Sequence, residues 1–365
     1  MIANMSVKTG YVYDDRMTLH QNAKKPDHVE NSARITVPFQ MLKESGALED
    51  CVNIPSRLAT DDELSLVHTA KYIEQLKQYG SLPAESMENP CKIEEKWPSY
   101  ISNDVFISSS VAVGCALQLT DAVCTNKVKN GVAVVRPPGH HAEVDESCGF
   151  CFFNNVAIAT RYAQKKHGLK RVLIVDWDIH FGNGIHNIFS DDPSVLYISL
   201  HRYDNGDYFP GLTEGCIESV GKNQGEGFSI NVAWNKDIMG DSEYKRAFDS
   251  IVMPAANQFN PDLIIVAAGF DAVVSDPLGD YVLTTDMYAY MTQKLLRIGT
   301  GRVILMLEGG YNAHAIGDCL VACTRVLMGD KDQRINLDIK EPCRRALQTI
   351  QRVIQCHSKY WKLKD

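Results

Sequence analysis

The chain has 365 residues, with 37 basic and 45 acidic side chains, giving a formal charge of −8 at pH 7. Apolar residues make up 45% of it, enough for a large core, and this length suits one α/β domain as well as two. The acidic balance argues against a protein that tracks nucleic-acid phosphates, and eleven cysteines, an odd number, favour free thiols in a reducing compartment over a disulfide framework.

In chain order, the opening MIANMSVKTGYVYDD lacks an apolar signal core, so no secretory leader is expected. No run is read as approaching the roughly 18 apolar residues of a membrane span. Residues 81–97, polar, charged and proline-containing, read as a long surface loop. Short β-branched runs follow at 131–135, 172–175, 195–200, 228–232, 263–267 and 303–307, with amphipathic helical stretches at 155–166, 242–258 and 287–298. The basic cluster Lys165-Lys166-His167-Gly168-Leu169-Lys170-Arg171 falls at a helix end, where cations suit the helix dipole. A final helix is expected at about 338–358. Apolar runs alternating with helices predict βαβ units and a parallel sheet covered on both faces. No repeat or low-complexity linker interrupts the alternation, so one domain over 1–365 is expected, with its core at about 9–329.

Ligands of open parallel sheets bind beyond the carboxyl ends of the strands. After Val135 comes RPPGHHAE, with His140 and His141; after Val175 comes DWDIH; after Ala267 comes AGFDA, with Asp271; after Leu307 comes EGGYN, with Tyr311. Strand alternation would put Asp176, Asp178 and His180 on one face. Asp178, His180 and Asp271 make two oxygens and one nitrogen with a fourth position open, the pattern of a catalytic zinc site. The plainer reading has the aspartates capping loops and His180 as a satisfied core histidine; three such groups at matching strand ends favour the metal. His140 and His141 offer acid–base capacity, with Asp176 as the carboxylate that orients a ring, since Asp178 is committed to metal. The alternative for this pair is an ordinary turn after Pro-Pro-Gly. Tyr311, behind Gly309 and Gly310, is either a donor to a developing oxyanion or a structural turn residue. Cys148 and Cys151 form a CxxC without a second pair and read as buried thiols. Cys319 and Cys323 share one helix face. HExxH, GxSxG and P-loop motifs are absent.

The stretches RPPGHHAEVDESCGFCFFNN, VLIVDWDIHFGNG, SVLYISLHRYDNGDYFPG, GEGFSINVAW, VAAGFDA with the later DPLG, and LEGGYN together resemble the zinc-dependent histone deacetylases. RPPGHHAE, GFCFFN and LHRYD resemble class II, nearest the IIb branch that holds the tubulin deacetylase and the polyamine deacetylase. The resemblance implies an α/β, three-layer arginase/deacetylase fold with an eight-stranded parallel sheet flanked by helices. It implies one catalytic zinc on Asp178, His180 and Asp271, with His140 and His141 as the acid–base pair, Asp176 behind His140, and Tyr311 on the acetyl carbonyl. Phe150 and Phe209 would flank an acyl-lysine tunnel lined by Gly149 and Gly309, with Arg34 at its foot. A structural potassium would be held by Asp176, Asp178, Ser199 and the carbonyls of His180 and Leu200.

Three positions bear on subclass. Vertebrate class IIa enzymes carry histidine where Tyr311 stands. The polyamine enzyme carries glutamate in the DP-x-G motif, where this chain has the uncharged Leu278. Class I enzymes carry a rim aspartate that Tyr100-Ile101-Ser102 lacks, leaving Ser99 as a candidate for that role. Two departures stand out: Phe181 replaces the second histidine of D-x-D-x-H-H-G, and Gly184-Ile185-His186 replaces GTQ. Phe181 is expected to point away from His180.

The expected activity is hydrolysis of acetyl-lysine in histone tails, tubulin or other proteins, with corepressor or cytoskeletal partners. Neither direct nucleic-acid binding nor a membrane is expected. A cytoplasmic location is expected, with the nucleus as a second site. The rivals are acetylpolyamine deacetylation, a binuclear ureohydrolase of the same fold, and a non-enzymatic scaffold.

Overall fold

The computed structural model describes residues 8–82 and 99–364, so the loop expected at 81–97 lies almost wholly outside the described residues. The apolar runs become strands: β1 (Thr9–Val12), β2 (Val52–Asn53), β3 (Asn130–Ala133), β4 (Val172–Asp176), β5 (Val195–Arg202), β6 (Ser229–Trp234), β7 (Leu263–Ala268) and β8 (Val303–Leu307). Every residue of β3, β4, β6, β7 and β8 is buried, which is why these runs read as continuously apolar and not alternating. The strands pair in parallel in the order β2-β1-β3-β8-β7-β4-β5-β6. The eight-stranded parallel sheet expected from the resemblance is the one observed. The residue pattern alone yielded six of the strands, because β1 and β2 are four and two residues long and too short to show a period.

Helices cover both faces: α1 (Ala33–Glu44), α2 (Asp61–Leu64), α3 (Ala70–Gln78), α4 (Val105–Cys124), α5 (Asn155–His167), α6 (Asn183–Phe189), α7 (Asp241–Ala247), α8 (Met253–Phe259), α9 (Thr285–Leu295), α10 (Ala313–Met328) and α11 (Arg344–His357). The helix expected at 242–258 is α7 and α8 joined by a π-helical turn at Phe248–Val252. The basic cluster is a helix end as expected. Lys165, Lys166 and His167 fill the last turn of α5, and Gly168 closes it at φ 67°.

Helix α4 corrects one expectation. It is 20 residues long and holds an 18-residue window of mean hydropathy 1.4, long and apolar enough to cross a membrane, yet 78% of that window is buried inside the fold. It packs on α5, β3 and β1 as a core helix, apolar all round because it is covered all round. At the other end of the chain, α11 buries Ala346, Ile350, Val353 and His357 at three- and four-residue spacing and closes over β6. The Trp361 indole then donates to the Gly227 carbonyl at 2.7 Å, tying down the tail.

This strand order positions the site. β3, β8, β7 and β4 are consecutive neighbours, about 4.8 Å apart. The four segments that leave their carboxyl ends therefore start side by side, although they are far apart in the chain. The tandem histidines, the tyrosine, the lone aspartate and the Asp-x-Asp-x-His segment are brought to one place.

Candidate active site

Strand β4 ends at Asp176, so Asp178 and His180 sit on irregular backbone and the expected strand alternation does not place them. Side-chain acceptors shape the bend instead. Asp178 N donates to Asp176 Oδ1 at 3.2 Å, His180 N to Asp178 Oδ1 at 2.9 Å, and Ile179 N to Asp271 Oδ1 at 2.8 Å. As a result, donor atoms of Asp178, His180 and Asp271 lie within 4.8 Å of one another, all in buried side chains. His180 Nδ1 stands 3.0 Å from Asp178 Oδ1 and 3.1 Å from Asp271 Oδ2.

Two carboxylates this close in the interior cannot both stay ionised unless a cation or a donor lies between them. Burial resists ionisation of Asp271, and the Asp178 charge adds to this, raising its pKa to about 7. Burial also opposes a charge on His180, but hydrogen bonds to Asp178 and Asp271 outweigh it and raise the ring to about 10. A proton on His180 balances the pair in part; a divalent metal would engage all three donors. The set of two carboxylate oxygens and one imidazole nitrogen fits zinc. The neighbouring backbone fits too: a Cβ on Gly309 would come within 2.2 Å of Asp271 Oδ2 and 2.4 Å of Asp178 Oδ2, so only glycine leaves the carboxylates room. Gly309 N donates to Asp178 Oδ2 at 2.7 Å, fixing that carboxylate from the β8 side.

The tandem histidines are held differently from each other. His140 Nδ1 lies 3.2 Å from Asp176 Oδ2, which also accepts the Tyr197 hydroxyl at 2.9 Å. His141 Nδ1 lies 2.8 Å from Asn183 Oδ1. Burial works against charge on both rings. For His140 the Asp178 and Asp176 carboxylates prevail and lift it to about 10. For His141 the opposing pull of Asp178 and Asn183 is too weak: burial and the charges of His140 and His180 push it well below its usual range. The two rings, with centroids 3.9 Å apart, are thus pushed in opposite directions, His140 toward the cationic form and His141 toward the neutral one. This is the split that acid–base chemistry needs. Glu308 Oε2 accepts the amides of Gly139 at 2.6 Å and His140 at 3.0 Å, bracing the loop that carries both rings.

The walls are built from turns. Cys148 and Cys151 exchange two backbone hydrogen bonds, leaving Gly149 (φ 52°) and Phe150 (φ 68°) at the tip of a tight turn. A Cβ on Gly149 would lie 2.4 Å from His141 Cδ2. Phe209 packs edge-on to His141 at 5.1 Å, and Phe150 edge-on to Tyr311 at 5.9 Å. Tyr311 N donates to Asp276 Oδ2 at 2.7 Å, while Asp276 Oδ1 accepts Leu278 N and Gly279 N at 2.9 and 3.1 Å. One carboxylate therefore sets both the tyrosine and the DPLG turn. Arg34 lies under Tyr311, 5.0 Å from its ring, and its guanidinium donates to the carbonyls of Gly310 and Glu308.

The chain matches the family described as Histone deacetylase domain across residues 28–327. The chain belongs to the histone deacetylase family. Among curated relatives, it is 38% identical to polyamine deacetylase HDAC10 of Danio rerio over 98% of this chain and 53% of that protein. It is 40% identical to histone deacetylase clr3 of Schizosaccharomyces pombe over 97% and 52%, and 39% identical to histone deacetylase 6 of Caenorhabditis elegans over 100% and 39%. The chain thus spans about half the length of these relatives, or less. A crystal structure of the HDA15 HD domain superposes with a TM-score of 0.89 at 37% identity, covering 97% of this chain and 95% of that one.

In this histone deacetylase chain the expected residues Asp176, Asp178, His180, Asp271, His140, His141, Tyr311, Gly149, Phe150, Phe209, Gly309 and Arg34 form one connected neighbourhood, with Leu278 on the adjoining turn, where its carbonyl accepts the Tyr208 hydroxyl at 3.0 Å. Ser99 is buried, and its hydroxyl accepts Phe150 N at 3.0 Å, so it props the turn that carries Phe150. Ser199 pairs in register with Asp176, and its hydroxyl lies 2.8 Å from His201 Nδ1. Phe181 does point away from His180. It packs against His186 at 5.3 Å and His201 at 5.0 Å, so the two departures from the family pattern touch each other. Sequence reasoning missed Asn183, Tyr197, Asp276 and Glu308 as supports. Of these, Asp276 left a local trace, since Asp-Pro-x-Gly is a turn in which the aspartate accepts amides two and three residues on.

Proposed function

We propose that this chain is a single zinc-dependent catalytic domain that hydrolyses N6-acetyl-lysine in proteins to lysine and acetate. The observation that carries the proposal is the meeting of three buried metal donors with His140, His141 and Tyr311 at adjoining strand ends. Zinc on Asp178, His180 and Asp271 would lower the pKa of a water to about 7 and polarise the acetyl carbonyl.

The residues divide the remaining work. The Gly149–Phe150 turn and Phe209 form apolar walls for the aliphatic stem of the acyl-lysine. His141, neutral and oriented by Asn183, takes the proton from the attacking water. Tyr311, kept protonated because burial raises its pKa well above 10, donates to the developing oxyanion. His140, charged by its neighbours Asp178 and Asp176, stabilises that negative charge. The proton that His141 has gained passes to the leaving amine. Potassium, held by Asp176, Asp178, Ser199 and the carbonyls of His180 and Leu200, would brace the segment from below.

A second reading, acetylpolyamine hydrolysis, is favoured by relatives named polyamine deacetylase. Leu278 weighs against it, since it offers no counter-charge to a cationic substrate. Histone tails and tubulin are the proposed substrates, corepressor or cytoskeletal proteins the proposed partners, and the cytoplasm, with the nucleus second, the proposed location. A panel of acetylated histone peptides, tubulin and acetylspermidine, assayed with and without chelator, tests the reading. Chelator-sensitive turnover of the acetyl-lysine substrates is expected. Turnover of acetylspermidine alone would replace it with the second reading, and no turnover of any substrate would defeat both.

A further inference from the structure

Behind the histidine pair lies a second group of buried donors that the proposed reaction does not use as ligands. A nitrogen of His140, the thiol of Cys151 and a carboxylate oxygen of Glu308 lie within 4.8 Å of one another. All three side chains are buried, with Glu308 at 0% exposure. Glu308 Oε2 is occupied by the amides of Gly139 and His140, whereas Oε1 is buried with no hydrogen-bond partner. An unmet carboxylate oxygen in the interior is costly unless a donor or cation reaches it. His140 Nδ1 is engaged by Asp176, which leaves Nε2 as its ligand atom.

We infer that His140, Cys151 and Glu308 form a second, inhibitory site for a thiophilic divalent cation such as Zn2+ or Cd2+. The donors are of the right kind: imidazole nitrogen, thiolate sulfur and carboxylate oxygen are the ligands zinc takes, at about 2.0–2.3 Å. A tetrahedral ion with such bonds keeps its ligand atoms roughly 3.5 Å apart, so small side-chain rotations close the group around it. Charge also balances, because one thiolate, one carboxylate and one neutral imidazole cancel a divalent ion and leave no net charge in the interior. Binding involves no redox step. The Cys151 thiol and the Nε2–H of His140 each give a proton to solvent, and the sulfur and that ring nitrogen bond to the metal. Burial holds that thiol well above its usual pKa, so the site fills after the Asp178–His180–Asp271 site and at higher free metal.

Inhibition follows from the shared histidine. His140 Nε2 lies 3.7 Å from Asp178 Oδ2, on the side where the reaction is proposed to run. An ion bound to that nitrogen occupies the face the ring turns to the reaction, so an enzyme carrying one metal works and an enzyme carrying two does not.

The test uses the chain loaded with one Zn2+ per molecule and then exposed to rising Zn2+. A second equivalent retained through gel filtration, together with falling acetyl-lysine hydrolysis, is expected. Cys151→Ser should retain only one equivalent. Its half-inhibiting Zn2+ concentration, relative to its own uninhibited rate, should rise at least tenfold. Should that variant fail to fold, crystals of the unaltered chain soaked in Cd2+ decide the matter, with an anomalous peak expected between His140, Cys151 and Glu308. Equal metal sensitivity and two retained equivalents in Cys151→Ser, or soaked crystals with no peak there, would overturn the inference. Metal retention and the soak need no turnover, so they separate failure of this site from failure of the deacetylase reading.

Discussion

Asn183→Ala isolates the least obvious part of the proposed machinery. Asn183 is buried at 1% exposure, with Oδ1 2.8 Å from His141 Nδ1 and Nδ2 donating to the His141 carbonyl at 3.2 Å and to Glu143 Oε1 at 2.7 Å. With a proton on Nδ1 directed at Asn183, the other ring nitrogen is left free to accept one. Losing a neutral hydrogen bond of this kind removes about 1–1.5 kcal/mol, roughly tenfold in rate. Freedom of the ring to shift by about 1 Å costs up to about a further tenfold, within the roughly 10²-fold that such misplacement can reach. The expected result is a 10- to 100-fold fall in kcat with KM nearly unchanged, because Asn183 supports the ring and not the tunnel wall. Glu143 keeps Asn187 as a donor at 2.9 Å, so the fold should survive with a modest drop in Tm. The assay is steady-state hydrolysis of an acetyl-lysine peptide by zinc-loaded protein of verified metal content. A folded, loaded variant with kcat within twofold of the parent, or one whose whole loss lies in KM, would refute the role given to the Asn183–His141 pair.

Other outcomes follow from the same geometry. Tyr311→Phe removes one oxyanion donor and should lower kcat by about 10²–10³-fold, which single-turnover kinetics would show as a slowed chemical step. Leu278→Glu places a charge on the turn set by Asp276 and should raise kcat/KM for acetylspermidine relative to an acetyl-lysine peptide by about tenfold, the effect of roughly 1.4 kcal/mol; competition between the two substrates measures it. Five buried histidines outside the proposed metal ligands and acid–base pair are depressed by burial from the usual 6.5, with His20 and His201 at about 3 and His68, His186 and His357 at about 4. Because their folded pKa values lie below the unfolded value, the stability they contribute is fully present above pH 6.5. It is lost as pH falls toward 4 and then 3, by up to about 1.4 kcal/mol per pH unit for each group. Urea denaturation of the metal-loaded chain between pH 8 and 4 should show a steep loss below pH 6.5, and a flat profile would contradict the assignment.

The legible and illegible parts of this molecule divide along physical lines. The motifs at the ends of β3, β4, β7 and β8 could be read because buried parallel strands are continuously apolar and ligand-binding groups gather where they stop. Strand order could not be read from the runs themselves, yet it is what makes those four ends neighbours. Helix α4 misled for the opposite reason, since a helix covered on every side has the composition of a membrane span. The missed supports act across distance in the chain: Asn183 reaches His141 over 42 residues, Asp276 reaches Tyr311 over 35, and Glu308 reaches Gly139 over 169. Nothing local marks such pairings. Ser99 was legible as a nearby polar group, but its partner, Phe150 N, was not.

In the proposed reaction everything turns on one divalent ion held by Asp178, His180 and Asp271. The direct measurement strips the protein with chelator, adds Zn2+ back in fractions of an equivalent, and follows hydrolysis of an acetyl-lysine peptide at each step. No turnover is expected without metal, with activity rising linearly to a maximum at one Zn2+ per chain. Turnover that persists in the stripped protein, or that appears only once a second ion has bound, would contradict the proposal.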